Sequence, residues 1–306
     1  MNIQVKLAII AIMVVIPLSS IAVYGTNTNQ QFTINDNSKL QVISSFNPLH
    51  EFSQIVGQEK VDTTLLVPVG VEPHDWEPTI KDVQQMQQSD LIIINGIGFE
   101  NWIDNLEENN FQGIIIDSSN GILVKHDEDE HQDDHDHSKG DPHIWLNPVY
   151  AKIQVQNIAN AFSTYDSTNK EYYQTNARDY IQQLDILDSK IRSDLFSCKH
   201  NFIAFHDAFS YFAEEYDLIQ HTIISSNDPH GEATAKTLES TISIARELNI
   251  QIIFSEESVN TKTSDIIANE INGQVLVLSP LEVASDGTYI SKMTENLENL
   301  KEALCQ

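Results

Sequence analysis

Residues 80–98, IKDVQQMQQSDLIIINGIG, place a polar, helix-like run directly before four consecutive aliphatic residues and close on two glycines. LIII does not alternate, so a strand made of it is buried on both faces, as strands of parallel sheets flanked by helices are. The pattern extends in both directions. LQVISSF (40–46) and VDTTLLVPVG (61–70) precede it and GIIIDSS (113–119) follows, with NPLHEFSQIVG and IDNLEENN as helical stretches between. Such alternation predicts an α/β lobe built on a parallel sheet.

The second half repeats that pattern. NFIAF, HTIISS, IQIIFSE and QVLVLSP are the strands, and HDAFSYFAEEY, TAKTLESTISIARELN, TKTSDIIANEI and SKMTENLENLKEAL are the helices. The expected organisation is an N-terminal lobe over 38–165 and a C-terminal lobe over 198–306, joined by a helix over 170–197. One continuous helix of that length spans about 42 Å and can bridge two lobes. In α/β folds ligands bind at the carboxyl ends of the strands, which here means the crevice between lobes.

Between the halves lies HDEDEHQDDHDHSKGD (126–141), with eight acids, four histidines and no apolar residue. It has nothing to bury and is expected to be a mobile loop. Across the chain 45 acidic residues face 17 basic ones, a formal charge of −28. That balance works against nucleic acid and anionic membrane surfaces and in favour of cations.

Residues 1–25, MNIQVKLAIIAIMVVIPLSSIAVYG, carry one lysine, an apolar run and small residues at Ser20 and Ala22. They read as an export signal that is either cleaved or kept as an N-terminal anchor, so the remainder is expected outside the cytoplasm. No cysteine follows the apolar run, which excludes a lipid-modified N-terminal cysteine. The two cysteines, Cys198 and Cys305, either pair in the oxidising exterior or stay buried as free thiols.

His74 in VEPHDWEPT, His143 in GDPHIWLNP and His206 in FIAFHDAFSYF stand apart from the loop, each near a strand end or an ordered turn. Imidazole nitrogen suits zinc, copper, nickel or iron better than magnesium or calcium, and three such donors make a zinc-type site. Asp75, Asp141 and Asp207 lie close enough in sequence to orient these rings. Trp76, Trp102 and Trp145 are expected to pack rather than bind.

With these motifs the chain resembles the extracytoplasmic metal-binding receptors of zinc and manganese ABC transporters. The resemblance covers about residues 40–304 and is carried by VPVGVEPHDWEPTIKDVQQMQQSDLIIINGIGFENW, DPHIWLNP, FIAFHDAFSYFAEEYDL, IIFSEESVNTKTSDIIANEI and GTYISKMTENLENLKEAL. It implies two α/β lobes joined by a long rigid helix, a metal held between them, and a His-rich acidic loop in zinc-handling members. It places metal ligands on His74, His143 and His206. The family's fourth position, an aspartate in an Asp-Pro-Leu turn, reads Ser279 here, so the fourth ligand is expected to be Glu256 of FSEES, a water or a loop carboxylate. Manganese-type members have a glutamate at the third position, and His206 there favours zinc over manganese.

The functional expectation is a monomeric, non-enzymatic zinc receptor serving a metal ABC permease, touching the membrane only through that permease or an N-terminal anchor. Two alternatives stand beside it: a zinc hydrolase with a three-histidine site, and an extracytoplasmic metal buffer. No HExxH helix or GxSxG elbow supports the hydrolase.

Overall fold

The computed structural model describes residues 39–108, 111, 113–124, 140–224, 233–257 and 259–305. The expected export signal and most of the acidic loop lie outside the described residues. Four strands, β1 (Leu40–Ser44), β2 (Val61–Leu65), β3 (Leu91–Ile94) and β4 (Ile115–Asp117), form a parallel sheet in the order β2-β1-β3-β4. LIII is buried at all four positions, because β3 lies inside the sheet with helices on its faces. Thr79 and Asp82 form a reciprocal capping box that starts α2 (Ile80–Met86), and Met86 points into the core against Ile92 and Ile94. Beyond β3, Gly96 has φ +85°, and a Cβ there would lie 2.2 Å from Asp117 Oδ1, so only glycine lets β4 close onto this turn.

The second sheet copies the first. Strands β5 (Asn201–Ala204), β6 (Ile219–Thr222), β7 (Ile252–Ser255) and β8 (Gln274–Val277) are all parallel in the order β6-β5-β7-β8. In both sheets the chain order reverses across the central pair, β1/β3 and β5/β7. The crevice beyond the carboxyl ends of such a pair is where open α/β sheets hold ligands. The remaining helices are α1 (Asn47–Gly57), α3 (Ile103–Glu108), α4 (Pro148–Tyr165), α5 (Lys170–Leu195), α6 (Ser210–Glu215), α7 (Ala235–Glu247), α8 (Lys262–Ile271) and α9 (Tyr289–Leu304).

The linking helix α5 has 26 residues, about 39 Å, and stops two residues before the expected end. Tyr173, Ala177, Tyr180, Leu184, Leu187, Ile191 and Leu195 form its buried stripe, spaced three and four apart. That stripe packs on α4 and α1 of the N-terminal lobe and on α9 of the C-terminal lobe. A continuous helix gripped along its length has no hinge at which the lobes could swing freely.

Cys198 and Cys305 form a disulfide with Cα atoms 4.5 Å apart, which closes one of the two readings left open by the sequence. The bond ties the end of α9 to the end of α5, and Lys199 N–H donates to Leu304 O at 2.9 Å beside it. The sequence separation is 107 residues. Cross-linking a loop of that size restricts the unfolded chain by about 4.7 kcal/mol in the chain-entropy model. Replacing both cysteines by serine should therefore lower the unfolding free energy by about 3–5 kcal/mol. Denaturant unfolding checks this, and a loss under about 1 kcal/mol would mean the pair does not constrain the unfolded chain.

Candidate metal centre

His206 follows β5 by two residues, so the end of a buried strand at the reversal point of the second sheet aims it into the crevice. Glu256 stands at the same level, directly after β7. His143 caps the start of a short 3-10 turn, Ile144–Leu146, whose three residues are fully buried. His74 lies on the loop after β2, with its ring edge-on to Phe99 at a centroid distance of 4.9 Å. Glu282 sits on the segment between β8 and α9.

Four of these side chains converge. One donor atom from each of His74, His143, His206 and Glu282 lies within 4.8 Å of the other three. Glu282 Oε1 is the centre of the group: it is 3.3 Å from His74 Nε2, 3.1 Å from His143 Nε2 and 3.7 Å from His206 Nε2. The Nε2 atoms of His143 and His206 approach each other to 3.3 Å.

Behind the rings stand acceptors that fix their orientation. His143 Nδ1–H donates to Asp141 Oδ1 at 2.8 Å, and the His143 backbone N–H donates to the same oxygen at 3.0 Å. His206 Nδ1–H donates to Glu256 Oε1 at 2.6 Å. A ring nitrogen held by a carboxylate leaves the opposite nitrogen facing the crevice, as metal-binding histidines require.

The expected site residues fall as follows. His74, His143 and His206 come together, while Glu256 stands behind His206 as the acceptor of its Nδ1–H and is outside the converging group. Glu282 occupies the fourth place, three residues beyond Ser279. The Ser279 hydroxyl donates to Glu257 Oε2 at 2.5 Å instead of facing the centre. Asp141 orients its neighbouring histidine as expected, but His206 is oriented by Glu256 rather than by Asp207, which accepts from Gln220. Trp145 is fully buried and donates its indole N–H to Pro280 O at 2.8 Å.

The charges in this crevice are strongly coupled. Burial pushes Glu282 up, but His74, His143 and His206 outweigh it and hold the carboxyl well below the usual range. Burial pulls His143 down, and Asp141 and Glu282 override it, raising the ring to about 9. His206 is likewise lifted well above its ordinary value, burial being outweighed by Glu256 and Glu282. Glu72, on the His74 loop, is pushed up to about 8 by burial and by the nearby Glu282. Glu282 Oε2 and Glu256 Oε2 are buried with no hydrogen-bond partner. Buried polar atoms are normally satisfied, so an orphaned carboxylate oxygen beside three imidazoles fits a cation at the centre.

Residues 42–303 match the family described as "Zinc-uptake complex component A periplasmic". The high-affinity zinc uptake system protein ZnuA of Bacillus subtilis is 36% identical over 300 residues, 93% of this chain and 93% of the relative. A crystal structure of ZnuA superposes with a TM-score of 0.78 at 29% identity, covering 87% of this chain and 99% of that one. Zn(II)-bound AdcA from Streptococcus pneumoniae superposes with a TM-score of 0.76 at 29% identity, covering 88% of this chain and 58% of that one.

The shifted groups set a pH dependence for the metal-free protein. A histidine raised from 6.5 to about 9 contributes stability that is complete below the unfolded value and is lost as pH rises through the folded one. Glu282, depressed below 4.5, contributes stability that is present above that value and disappears in acid. Without metal, the melting temperature should be highest between about pH 5 and 6.5 and fall steadily to pH 9. Calorimetry in chelator-treated buffer measures this, and a melting temperature that climbs from pH 7 to 9 would contradict the coupling.

Proposed function

The chain belongs to the family of periplasmic zinc-uptake complex component A, and from that premise we propose that it is a high-affinity zinc receptor delivering its ion to an ABC transporter permease. The observation that carries the reading is the group His74, His143, His206 and Glu282, which we assign as the zinc ligands. Three neutral nitrogens and one carboxylate oxygen are a donor set for tetrahedral zinc, and manganese prefers more oxygen. Zinc is the cargo here.

The family is one of receptors rather than enzymes, and the chemistry of the crevice agrees. A catalytic zinc keeps one position open for water, whereas the carboxylate of Glu282 fills that position. The family acts outside the cytoplasm. For this chain we extend that to an exported monomer that meets the membrane through its permease or an N-terminal anchor. Among the described residues no helix is long and apolar enough to cross a membrane.

His206→Ala and Glu282→Gln should each weaken zinc binding by about a hundredfold or more, since the first removes a donor and the second replaces an anionic oxygen by a weaker, neutral amide oxygen. Competition against a chelator of known affinity measures this. A loss under about tenfold would remove that residue from the ligand set.

The four ligands all lie outside residues 126–140. Deleting those residues should leave one tight site with affinity changed by less than about threefold, and should remove weaker zinc binding by the four loop histidines. Calorimetric titration of both forms decides this. Loss of the tight site would assign a ligand to the loop, and equal stoichiometry would mean the loop binds no zinc.

A further inference from the structure

Glu282 reaches the metal site from an irregular segment, and something in that segment must turn its side chain inward. We propose that Leu281 is a positioning residue: its left-handed backbone, held by Ser279 and Asn296, aims Glu282 at the zinc. The proposal rests on Glu282 being a zinc ligand, as read above.

Backbone conformation singles out Leu281. Among the described residues, Gln58, Ile97, Asp217, Asn249, Asn272 and Leu281 have a positive φ without being glycine. Gln58, Asp217, Asn249 and Asn272 lie one or two residues past the end of a helix, where chains commonly turn this way. Ile97 sits between Gly96 and Gly98, whose φ is positive as well. Leu281, at φ +59°, has neither excuse and directly precedes Glu282. A side chain in the left-handed region is crowded against the following carbonyl oxygen, so it persists only where the surroundings hold it.

The groups that hold it can be named. Asn296, 2% exposed on α9, grips Ser279 from both sides: its Oδ1 accepts the Ser279 N–H at 2.8 Å and its Nδ2 donates to Ser279 O at 2.7 Å. Pro280 has a fixed φ and no N–H, and its carbonyl accepts the Trp145 indole N–H at 2.8 Å. Leu281 N–H donates to Ser279 Oγ at 3.3 Å, while the Ser279 hydroxyl proton goes to Glu257 Oε2. Lys292 Nζ donates to the other oxygen of Glu257 at 3.1 Å and keeps that acceptor in place. The Leu281 side chain is buried. With residues 279 and 280 fixed, the φ of Leu281 sets where the chain goes next. A φ of about −60° instead would rotate everything beyond Leu281 by about 120° around its N–Cα bond. Glu282 Oε1 would then lose its places at 3.1 Å from His143 and 3.3 Å from His74.

Two substitutions separate backbone from packing. Isoleucine keeps the volume of leucine but is β-branched and tolerates a positive φ worst, whereas glycine loses the packing and takes that φ freely. Competition against a chelator should give Leu281→Ile a Kd for zinc raised by about tenfold or more, and Leu281→Gly a Kd within about threefold of the parent. Glycine should nonetheless lower the melting temperature of the metal-free protein through the cavity it leaves. A larger loss of affinity in Leu281→Gly than in Leu281→Ile would overturn the role of the backbone. The loss should also run through Glu282: in the Glu282→Gln background, adding Leu281→Ile should change Kd by less than about twofold. Full additivity would overturn the proposal. Thermal unfolding shows whether Leu281→Ile folds; if it does not, Leu281→Gly decides alone, and a loss beyond about threefold overturns the role. Zinc binding by Glu282→Gln as tight as the parent's would instead remove the ligand assignment, so the two failures are told apart.

Discussion

One buried carboxylate holds the molecule's purpose and its geometry together. Glu282 is 1% exposed at its side chain and faces three imidazoles carried by three other segments. Leaving such a charge unpaired in a buried crevice costs several kcal/mol, so the surrounding chain must keep positive charge against it at all times. The lobes meet where they do because the histidines that satisfy Glu282 come from both of them, His74 and His143 from one and His206 from the other.

The frame around that pairing is correspondingly stiff. Trp145–Pro280, Tyr289–Trp145, Tyr289–Glu51, Tyr211–Asp141 and Asn147–Tyr211 all cross between lobes close to the ligands. At about 1 kcal/mol net each, such bonds together oppose separation by about 5 kcal/mol, before any apolar contact is counted. The long helix α5, packed against helices of both lobes, and the disulfide at its end restrain the same motion from the far side. A binding protein with this frame offers its ion a site already assembled, and less ordering has to accompany capture.

Much of this could be read in the sequence, for physical reasons that differ from residue to residue. Non-alternating runs such as LIII and IIFS have few structural solutions, so the two parallel sheets followed from local pattern. His206 was legible because it ends a buried strand, and a strand end in an open α/β sheet points at the crevice. Glu282 was not. It lies on an irregular segment after β8, where no periodicity states which way a side chain turns, and the neighbouring Ser279 drew attention to the wrong residue of the turn. Glu256 and Asp207 show the same limit. Each follows a strand, but only the packing of β5 against β7 puts Glu256 behind the His206 ring and sends Asp207 to Gln220. The pairing of Cys198 with Cys305 depended on where two helix ends meet, and no spacing encodes that.

Protons and a divalent ion compete for the same ring nitrogens in this crevice. Without metal, Asp141, Glu256 and Glu282 favour the protonated form of His143 and His206 against the cost of burying charge. Zinc needs the lone pairs on those same two Nε2 atoms, so its binding expels those protons. Protons given up by the rings offset part of the charge that zinc brings to Glu282. A receptor whose closure depended on metal charge would have to open when empty. Here the bonds that cross between the lobes, Trp145–Pro280 and Tyr289–Glu51 among them, do not pass through the metal ligands and join the lobes without them.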